Sequence, residues 1–237
     1  MEPDPRDYGL LTRTRRLFGG GRSLPTNAKT AGAIRCGMTS SLPSDLQQLL
    51  DAVDDADRRG AAIAARVSDE EFHWKPLEGR GWSIAECLDH LATINAIYLR
   101  AIRNGVGSAR ANGSRRRGPA QPGFVGKKFV AMLEPPVKRK LRSPEGTQPK
   151  PMRPRDEILR DYHAAHDDVR RLIAECADID ANRATFVNPF IRWIRFSIAT
   201  GLHVIPAHDR RHLWQAEQVE KLLHTGAPST KHRARST

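Results

Sequence analysis

The chain has 237 residues, of which 39% are hydrophobic, and its formal net charge is +12. This length accommodates one domain of about 150 residues together with tails and an insertion. No stretch approaches the roughly 20 apolar residues that a membrane-spanning helix needs, so the sequence predicts no membrane span. The three cysteines, Cys36, Cys87 and Cys176, are odd in number and far apart. They favour reduced thiols in a cytoplasmic protein over a disulfide framework.

The positive charge is concentrated outside the segments with helical patterns. Residues 103–155 hold fourteen basic and two acidic residues, whereas residues 1–40 hold seven basic and three acidic residues. Residues 225–237 add three basic residues and no acidic ones. The remainder is acidic, with fifteen basic and twenty-two acidic residues. The net charge therefore comes from tails and a loop, which argues against nucleic acid as the partner of the folded body.

The two ends of the chain predict tails. Residues 1–40 predict a disordered tail, because the glycine-rich run GGGRSLPTNAKTAGA follows three arginines without any apolar stretch of the kind a secretory signal needs. Met38 directly precedes the first helical pattern and is an alternative start of the chain. Residues 225–237 predict a short basic tail.

Four amphipathic helices are predicted, each with apolar residues at three- and four-residue spacing. They occupy residues 43–67, 84–103, 154–177 and 195–224. Ser83 and Glu86 predict a capping box at the start of the second helix. Pro206 predicts a kink in the fourth helix. With little strand signal, the pattern predicts an all-α four-helix bundle over residues 41–224.

The segments between the helices differ in character. Residues 104–153 are rich in Gly, Pro, Arg and Lys and predict a long, basic, low-order insertion between the second and third helices. One apolar piece within it, FVGKKFVAMLEPP, predicts a short helix that lies on the bundle or on a partner. The connector at 68–82 contains Phe72, Trp74 and Trp82, which we expect to pack over the end of the core.

Three histidines form a candidate metal site. His208 and His212 are four residues apart, so on a helix their side chains share one face and can reach one ion. His90 lies at the edge of the apolar face of the second helix. Three neutral imidazoles on two facing helices would form a site with open positions for water or substrate. The alternative is that His208 and His212 are ordinary polar-face residues among their charged neighbours.

Two further side chains are placed to orient these rings. Gln215 follows His212 by three residues, and Glu86 precedes His90 by four, so each lies about one helical turn from its histidine. No residue stands out as a general base, and the catalytic residues are left unassigned. Imidazole ligands suit Zn, Ni, Cu or Fe, so the ligand set alone does not select the metal.

The spacing of the remaining histidines makes them weaker candidates for metal ligands. His163 and His166 form an i,i+3 pair, and His166 can face inward, although such a histidine is more often hydrogen-bonded in the core. His203 lies well around the fourth helix from the proposed pair and is expected to be a surface or hydrogen-bonded residue. Expected surface residues are His73, His224 and His232.

The two histidine segments resemble the DinB-like family of metal-binding four-helix bundles. The run WSIAECLDHL at 82–91 is similar to the family's W-S-x-x-E-x-x-x-H-L helix start. The run HDRRHLWQ at 208–215 is similar to its C-terminal H-x-x-x-H helix. The resemblance covers about 43–103 and 154–224, whereas the long basic insertion departs from the compact family pattern.

The resemblance implies one divalent metal, usually zinc or nickel, bound by His90, His208 and His212. Characterised relatives include thiol-dependent transferases and isomerases that use bacillithiol, mycothiol or glutathione. The implied function is a metal-dependent enzyme, a hydrolase or thiol S-transferase, that activates water or a low-molecular-weight thiol to attack a small-molecule substrate. Dimerisation through helix faces is compatible with such a bundle.

A non-catalytic function is the alternative. The protein would then be a metal-stabilised helical binding module whose basic insertion contacts an anionic partner. The residues that motivate this interpretation are Arg115–Arg117 and Lys138–Arg142. Binding of phosphates by these side chains would weaken steeply with salt. The absence of interleaved aromatic residues for base stacking favours a solvated run of charge instead.

Overall fold

The computed structural model describes residues 42–137, 143–144, 146–150 and 152–225. Within these ranges the helices are α1 (Ser44–Ala65), α2 (Asp69–His73), α3 (Ile84–Ala111), α4 (Phe124–Leu133), α5 (Arg155–Glu175) and α6 (Ile198–His224). The strands are β1 (Thr185–Val187) and β2 (Arg195–Ser197). The predicted N-terminal tail, and the predicted C-terminal tail beyond residue 225, lie outside the described residues.

The four long helices α1, α3, α5 and α6 form a bundle, and they correspond to the four predicted helices. Both α1 and α3 pack against α5 and against α6, so α1 and α3 lie diagonally across the bundle. Fully buried side chains from all four helices fill its core, among them Leu46, Leu88, Leu172 and Ile198. Burying one such side chain contributes about 1.5–3 kcal/mol. The predicted all-α fold is confirmed. None of the described helices is long and apolar enough to cross a membrane.

Helix α3 begins where the capping pattern predicts. The amide of Glu86 donates to the Ser83 hydroxyl at 3.1 Å, and the amide of Ser83 donates to the Glu86 carboxylate at 2.9 Å. Ser68 and Glu71 form a second capping box, which starts α2 inside the predicted connector. A helix of five residues is too short to produce a helical apolar period, so the sequence predicted a loop there.

Helix α3 continues to Ala111, beyond its predicted end at residue 103. Gly105 and Gly107 lower the helix propensity of this stretch. However, Gly105 packs tightly against β1, because a Cβ atom there would lie 2.9 Å from the carbonyl oxygen of Thr185. Packing against the strand thus extends the helix, and the predicted start of the insertion at 104 is corrected.

A short antiparallel hairpin precedes α6, and the sequence did not predict it. Phe186 on β1 pairs with Phe196 on β2, and both side chains are buried. The Asn188 carboxamide oxygen accepts from the amides of Phe190 and Ile191, each at 2.9 Å, and so fixes the turn. Each strand has three residues, which is too few for a detectable alternation of apolar and polar residues.

The described part of the insertion is held on the bundle. At its start, the Asp45 carboxylate accepts from the guanidinium of Arg116 at 2.6 Å and from the amide of Ala120 at 2.7 Å. Further on, the apolar piece forms α4, which packs against α6 and confirms the predicted short helix on the bundle. Glu134, just after α4, forms a bidentate ion pair with Arg210 of α6.

Candidate metal centre

Three imidazole rings converge where α3 packs against α6. His90 lies on α3, whereas His208 and His212 lie one turn apart on α6, just after Pro206. One nitrogen from each ring lies within 4.8 Å of the other two. The ring centroids are 4.6–5.2 Å apart. The helix packing therefore brings together histidines from distant parts of the chain. The kink that Pro206 predicts in α6 stays a prediction.

The ring of His90 is fixed by a backbone carbonyl of the insertion. His90 is 1% exposed, and its Nδ1 lies 2.7 Å from the carbonyl oxygen of Thr147. Because a carbonyl oxygen only accepts, Nδ1 carries the proton and donates it to Thr147. The other nitrogen, Nε2, is left with its lone pair, which is the form that binds a metal ion.

The ring of His212 is fixed in a similar way from its own helix. The Nδ1 of His212 lies 3.1 Å from the amide oxygen of Gln215 and donates to it. Nε2 is again left with a lone pair. The predicted contact between Gln215 and His212 is therefore present.

The ring of His208 has an unsatisfied nitrogen. Its Nδ1 is buried and has no hydrogen-bond partner among the described residues. Leaving a buried polar atom unpaired costs about 1–3 kcal/mol. An unpaired imidazole nitrogen beside two rings with free lone pairs fits the donor set of a divalent metal.

Burial keeps the three rings neutral. Burial, followed by the charge of His90, lowers the pKa of His212 to about 3. Burial and the neighbouring His212 and His90 hold the pKa of His208 well below its ordinary value. Burial also lowers the pKa of His90, although the hydrogen bond that its ring donates to the Thr147 carbonyl oxygen acts in the opposite direction. At neutral pH all three rings are therefore uncharged, each with one nitrogen that keeps its lone pair, which is the state that metal coordination requires.

An indole ring forms one wall of this site. Trp82 lies edge-on to His90, with 4.8 Å between ring centroids. It is nearly parallel to His212, with 5.4 Å between centroids and 22° between planes. Because Trp82 directly precedes the capping residue Ser83, the start of α3 sets where the indole lies. This apolar wall limits the access of water to the imidazoles.

Glu86 does not orient His90, contrary to the prediction from its spacing. One carboxylate oxygen accepts from the Ser83 amide, and the other pairs with the Lys75 ammonium at 2.9 Å. Both carboxylate oxygens of Glu86 thus have partners at or before the start of α3, and neither is needed for His90. The group that orients His90 is the Thr147 carbonyl, which the sequence does not predict because a backbone carbonyl within an insertion leaves no side-chain pattern.

The other histidines lie outside this cluster. His163 pairs with Asp57 at 2.6 Å, and the ring of His203 contacts the carbonyl oxygen of Ala120 at 3.1 Å. His73 is half-buried between two backbone carbonyls rather than on the surface, whereas His224 is exposed as expected. His232 lies outside the described residues.

His166 belongs to a separate polar layer in the core. Its Nδ1 donates to the carbonyl oxygen of Tyr162 at 2.8 Å, and its Nε2 lies 3.5 Å from the carboxylate of Asp209. Asn95 donates to the other oxygen of Asp209 at 3.1 Å. His166 is therefore a hydrogen-bonded core residue, as the more conservative interpretation of its spacing suggested.

Comparisons with known proteins agree with this architecture. A family model described as the DinB superfamily matches residues 41–216. This match spans α1 to most of α6, and it includes all three histidines of the cluster. No curated protein matches the chain. No solved structure matches it either.

Proposed function

The chain belongs to the DinB superfamily, and from this premise we propose that it is an enzyme that binds one divalent metal ion through His90, His208 and His212. The observation that carries the proposal is the convergence of three neutral imidazoles. The unpaired Nδ1 of His208 supports it further, because a bound cation would satisfy the cluster. Zinc and nickel are the metals we expect from the resemblance to the DinB-like family, because imidazole ligands by themselves suit Zn, Ni, Cu and Fe.

The proposed chemistry needs only three protein ligands. His90, His208 and His212 would hold the ion, which would supply the chemistry that makes a water or a low-molecular-weight thiol nucleophilic near neutral pH. The chain supplies the rest of the site. Thr147 and Gln215 hold two of the rings in the tautomer that exposes Nε2. Trp82 shields the rings on one side.

The nucleophile is proposed to come from outside the chain. Of the three cysteines, Cys36 lies outside the described residues, and Cys87 and Cys176 are buried. Burial raises the pKa of the Cys176 thiol to about 12 and that of Cys87 far above its ordinary range. Neither thiol ionises near neutral pH, so neither is suited to attack a substrate. We therefore propose water or a low-molecular-weight thiol as the nucleophile, which makes the enzyme a hydrolase or a thiol S-transferase.

Metal analysis of two matched variants tests the metal site. The purified full chain, loaded with Zn²⁺ or Ni²⁺ and freed of excess ion, is expected to hold one ion. His208→Ala should lose this ion and keep its helical circular dichroism, since His208 Nδ1 makes no hydrogen bond to any described residue. His203→Ala, a change on the same helix outside the cluster, should retain it. Equal occupancy in both variants would contradict the site.

A screen for turnover tests the catalytic part of the proposal. The metal-loaded protein is incubated with glutathione, mycothiol or bacillithiol and an electrophile, and separately with a panel of esters and amides. Turnover should be absent in His208→Ala and present in His203→Ala. Full metal occupancy without any turnover would favour the non-catalytic module instead.

Of the described basic side chains that motivate the anionic-partner alternative, Arg115 and Arg117 are exposed. Arg116 is paired with Asp45, and Arg153 is paired with Asp89 and Asp161. Lys138–Arg142 lies outside the described residues. Retention of DNA or RNA on a filter, weakening steeply between 50 and about 200 mM salt, is the result that would favour this alternative.

A further inference from the structure

The last part of the insertion forms a turn over the metal site. The amide and hydroxyl of Thr147 both donate to the carbonyl oxygen of Pro144, at 3.1 and 2.7 Å. Gly146, within this turn, has a φ of +79°, a conformation that side-chain-bearing residues rarely adopt. The turn buries Thr147 and directs its carbonyl oxygen at Nδ1 of His90. We refer to residues 146–150 together with Arg153 as the strap.

Asp89, the residue next to His90, holds the strap on α3. One oxygen of its carboxylate accepts from the backbone amide of Lys150 at 2.9 Å. The other accepts from the guanidinium of Arg153 at 2.6 Å. Asp89 is 2% exposed, so both bonds are shielded from solvent. Charge-assisted bonds in such surroundings are stronger than neutral ones, and losing one partner of a buried pair is costly.

The strap has a further attachment beyond Asp89. The second terminal nitrogen of Arg153 donates to Asp161 on α5 at 2.6 Å. Arg153 therefore links the strap to two helices of the bundle. The direct bond to His90, however, comes from Thr147, and the nearest attachments that hold this segment against α3 are the two made by Asp89.

We propose that Asp89 is a positioning residue of the metal centre: by holding the strap, it keeps the Thr147 carbonyl on His90 Nδ1 and leaves Nε2 exposed for the metal. This inference rests on the proposed metal-dependent function. It assigns part of the basic insertion a role in the site, as the provider of a bond that fixes a ligand ring. Because outer-shell partners commonly change metal affinity 10–100-fold, the loss of Asp89 should weaken the metal by a factor in that range.

The test compares two aspartates that each hold one end of the insertion. Asp89→Asn removes the charge that holds the strap. Asp45→Asn removes the charge that holds Arg116 and Ala120, far along the chain from His90, and serves as the matched control. Nitrogen NMR of the metal-free protein reports the tautomer of His90, and competition with a chromophoric chelator reports the affinity for Zn²⁺.

The wild-type protein and Asp45→Asn should show His90 protonated at Nδ1 and the same affinity for Zn²⁺. Asp89→Asn should show mixed tautomers of His90 and an affinity for Zn²⁺ weakened about 10–100-fold. If Asp89→Asn does not fold, Arg153→Gln cuts one of the two bonds to Asp89 and should give a smaller loss in the same direction.

Two results would overturn the proposal. One is that Asp89→Asn folds and keeps the wild-type tautomer of His90 and the wild-type affinity for Zn²⁺, or that Arg153→Gln does so if Asp89→Asn does not fold. The other is an equal loss of affinity in Asp45→Asn. If the wild-type protein binds no metal at all, the proposed function fails, whereas the tautomer of His90 in the metal-free variants still decides whether Asp89 positions the ring.

Discussion

The indole of Trp82 lies nearly parallel to the imidazole of His212, with 5.4 Å between ring centroids and 22° between planes. The same indole lies edge-on to His90 at 4.8 Å. A metal ion bound by these imidazoles would therefore lie close to the indole of Trp82. An open-shell ion such as Ni²⁺ quenches an excited indole at this range, whereas Zn²⁺, with a filled d shell, does not accept its energy.

Ni²⁺ is accordingly expected to quench the tryptophan fluorescence of the protein, and Zn²⁺ to reverse the effect by competition. Trp82→Phe should remove most of the Ni²⁺-dependent quenching. Among the ring contacts of the described residues, Trp82 is the indole that contacts the histidine cluster, at His90 and His212. Trp193→Phe is the control, since Trp193 is 86% exposed. Quenching that persists in Trp82→Phe would place the bound ion elsewhere.

The buried imidazoles also predict how the metal-free protein responds to acid. Burial lowers the pKa of His90, His208 and His212 in the folded chain, for His212 to about 3. In the unfolded chain each titrates near 6.5. Below about pH 6.5 the unfolded state thus binds more protons than the folded state, so stability falls as pH falls. The loss approaches about 1.4 kcal/mol per pH unit for each such histidine.

Urea unfolding in the presence of a chelator at pH 7, 6 and 5 measures this slope. His212→Gln should reduce it, whereas His224→Gln, a change at an exposed residue, should not. His166 does not confuse the comparison. Its folded pKa is raised, so its contribution is complete below about pH 6.5 and is lost at higher pH, and this change is common to both proteins and cancels in the comparison. An identical slope in wild type and His212→Gln would show that the ring is not buried as a neutral base.

The histidine cluster was predictable because its signal is local. His208 and His212 are one helical turn apart, and His90 lies on an amphipathic helix with a clear capping box, so each segment could be assigned by itself. The all-α bundle followed from the same apolar spacing. Local patterns of this kind can be recognised in the sequence without any knowledge of how the helices pack.

The groups around the cluster were not predictable in the same way. Thr147 contacts His90 across 57 positions of the chain, from a segment with no periodic pattern. The assignment of Glu86 to His90 was wrong because the capping box already uses that carboxylate. The two predictions for Glu86 already conflicted in the sequence, because the same carboxylate was assigned both to the capping box with Ser83 and to His90.

The core pair of Asp209 and His166 gives a prediction about stability. Burial alone would lower the pKa of His166, but the Asp209 carboxylate, 3.5 Å from its Nε2, and the Tyr162 carbonyl raise it above the ordinary value. Asp209→Asn removes the charge and leaves only the effect of burial and weaker partners. We expect the pKa of His166 to fall below its ordinary value and the protein to lose about 3–5 kcal/mol of stability.

Proton NMR titration and urea unfolding measure these two effects. Asp168→Asn is the control, because Asp168 pairs with Arg171 on the surface of α5 and such pairs contribute about 0–1 kcal/mol. A pKa of His166 that does not move in Asp209→Asn would mean that the carboxylate is itself protonated in the folded protein.

Close packing of α4 on α6 gives the last prediction. A Cβ atom at Gly126 would overlap the Thr200 hydroxyl and lie 2.9 Å from its methyl carbon. Gly126→Ala should therefore push α4 away from α6 and cost about 1–3 kcal/mol. Gly107→Ala is the matched control, because nothing lies within 4 Å of a Cβ atom there. That change lies inside α3 and should stabilise the protein by about 0.5–1 kcal/mol.

A double-mutant cycle separates this overlap from other effects of the new methyl group. Thr200→Ala removes the two closest atoms that the new Cβ would meet and leaves Pro122 Cβ at 3.1 Å, so Gly126→Ala should cost at least about 1 kcal/mol less in the Thr200→Ala background than in the wild type. Urea unfolding of the four proteins measures the difference. An equal cost in both backgrounds would mean that α4 does not pack on α6 at Thr200, and that the insertion is held there by the Glu134–Arg210 ion pair instead.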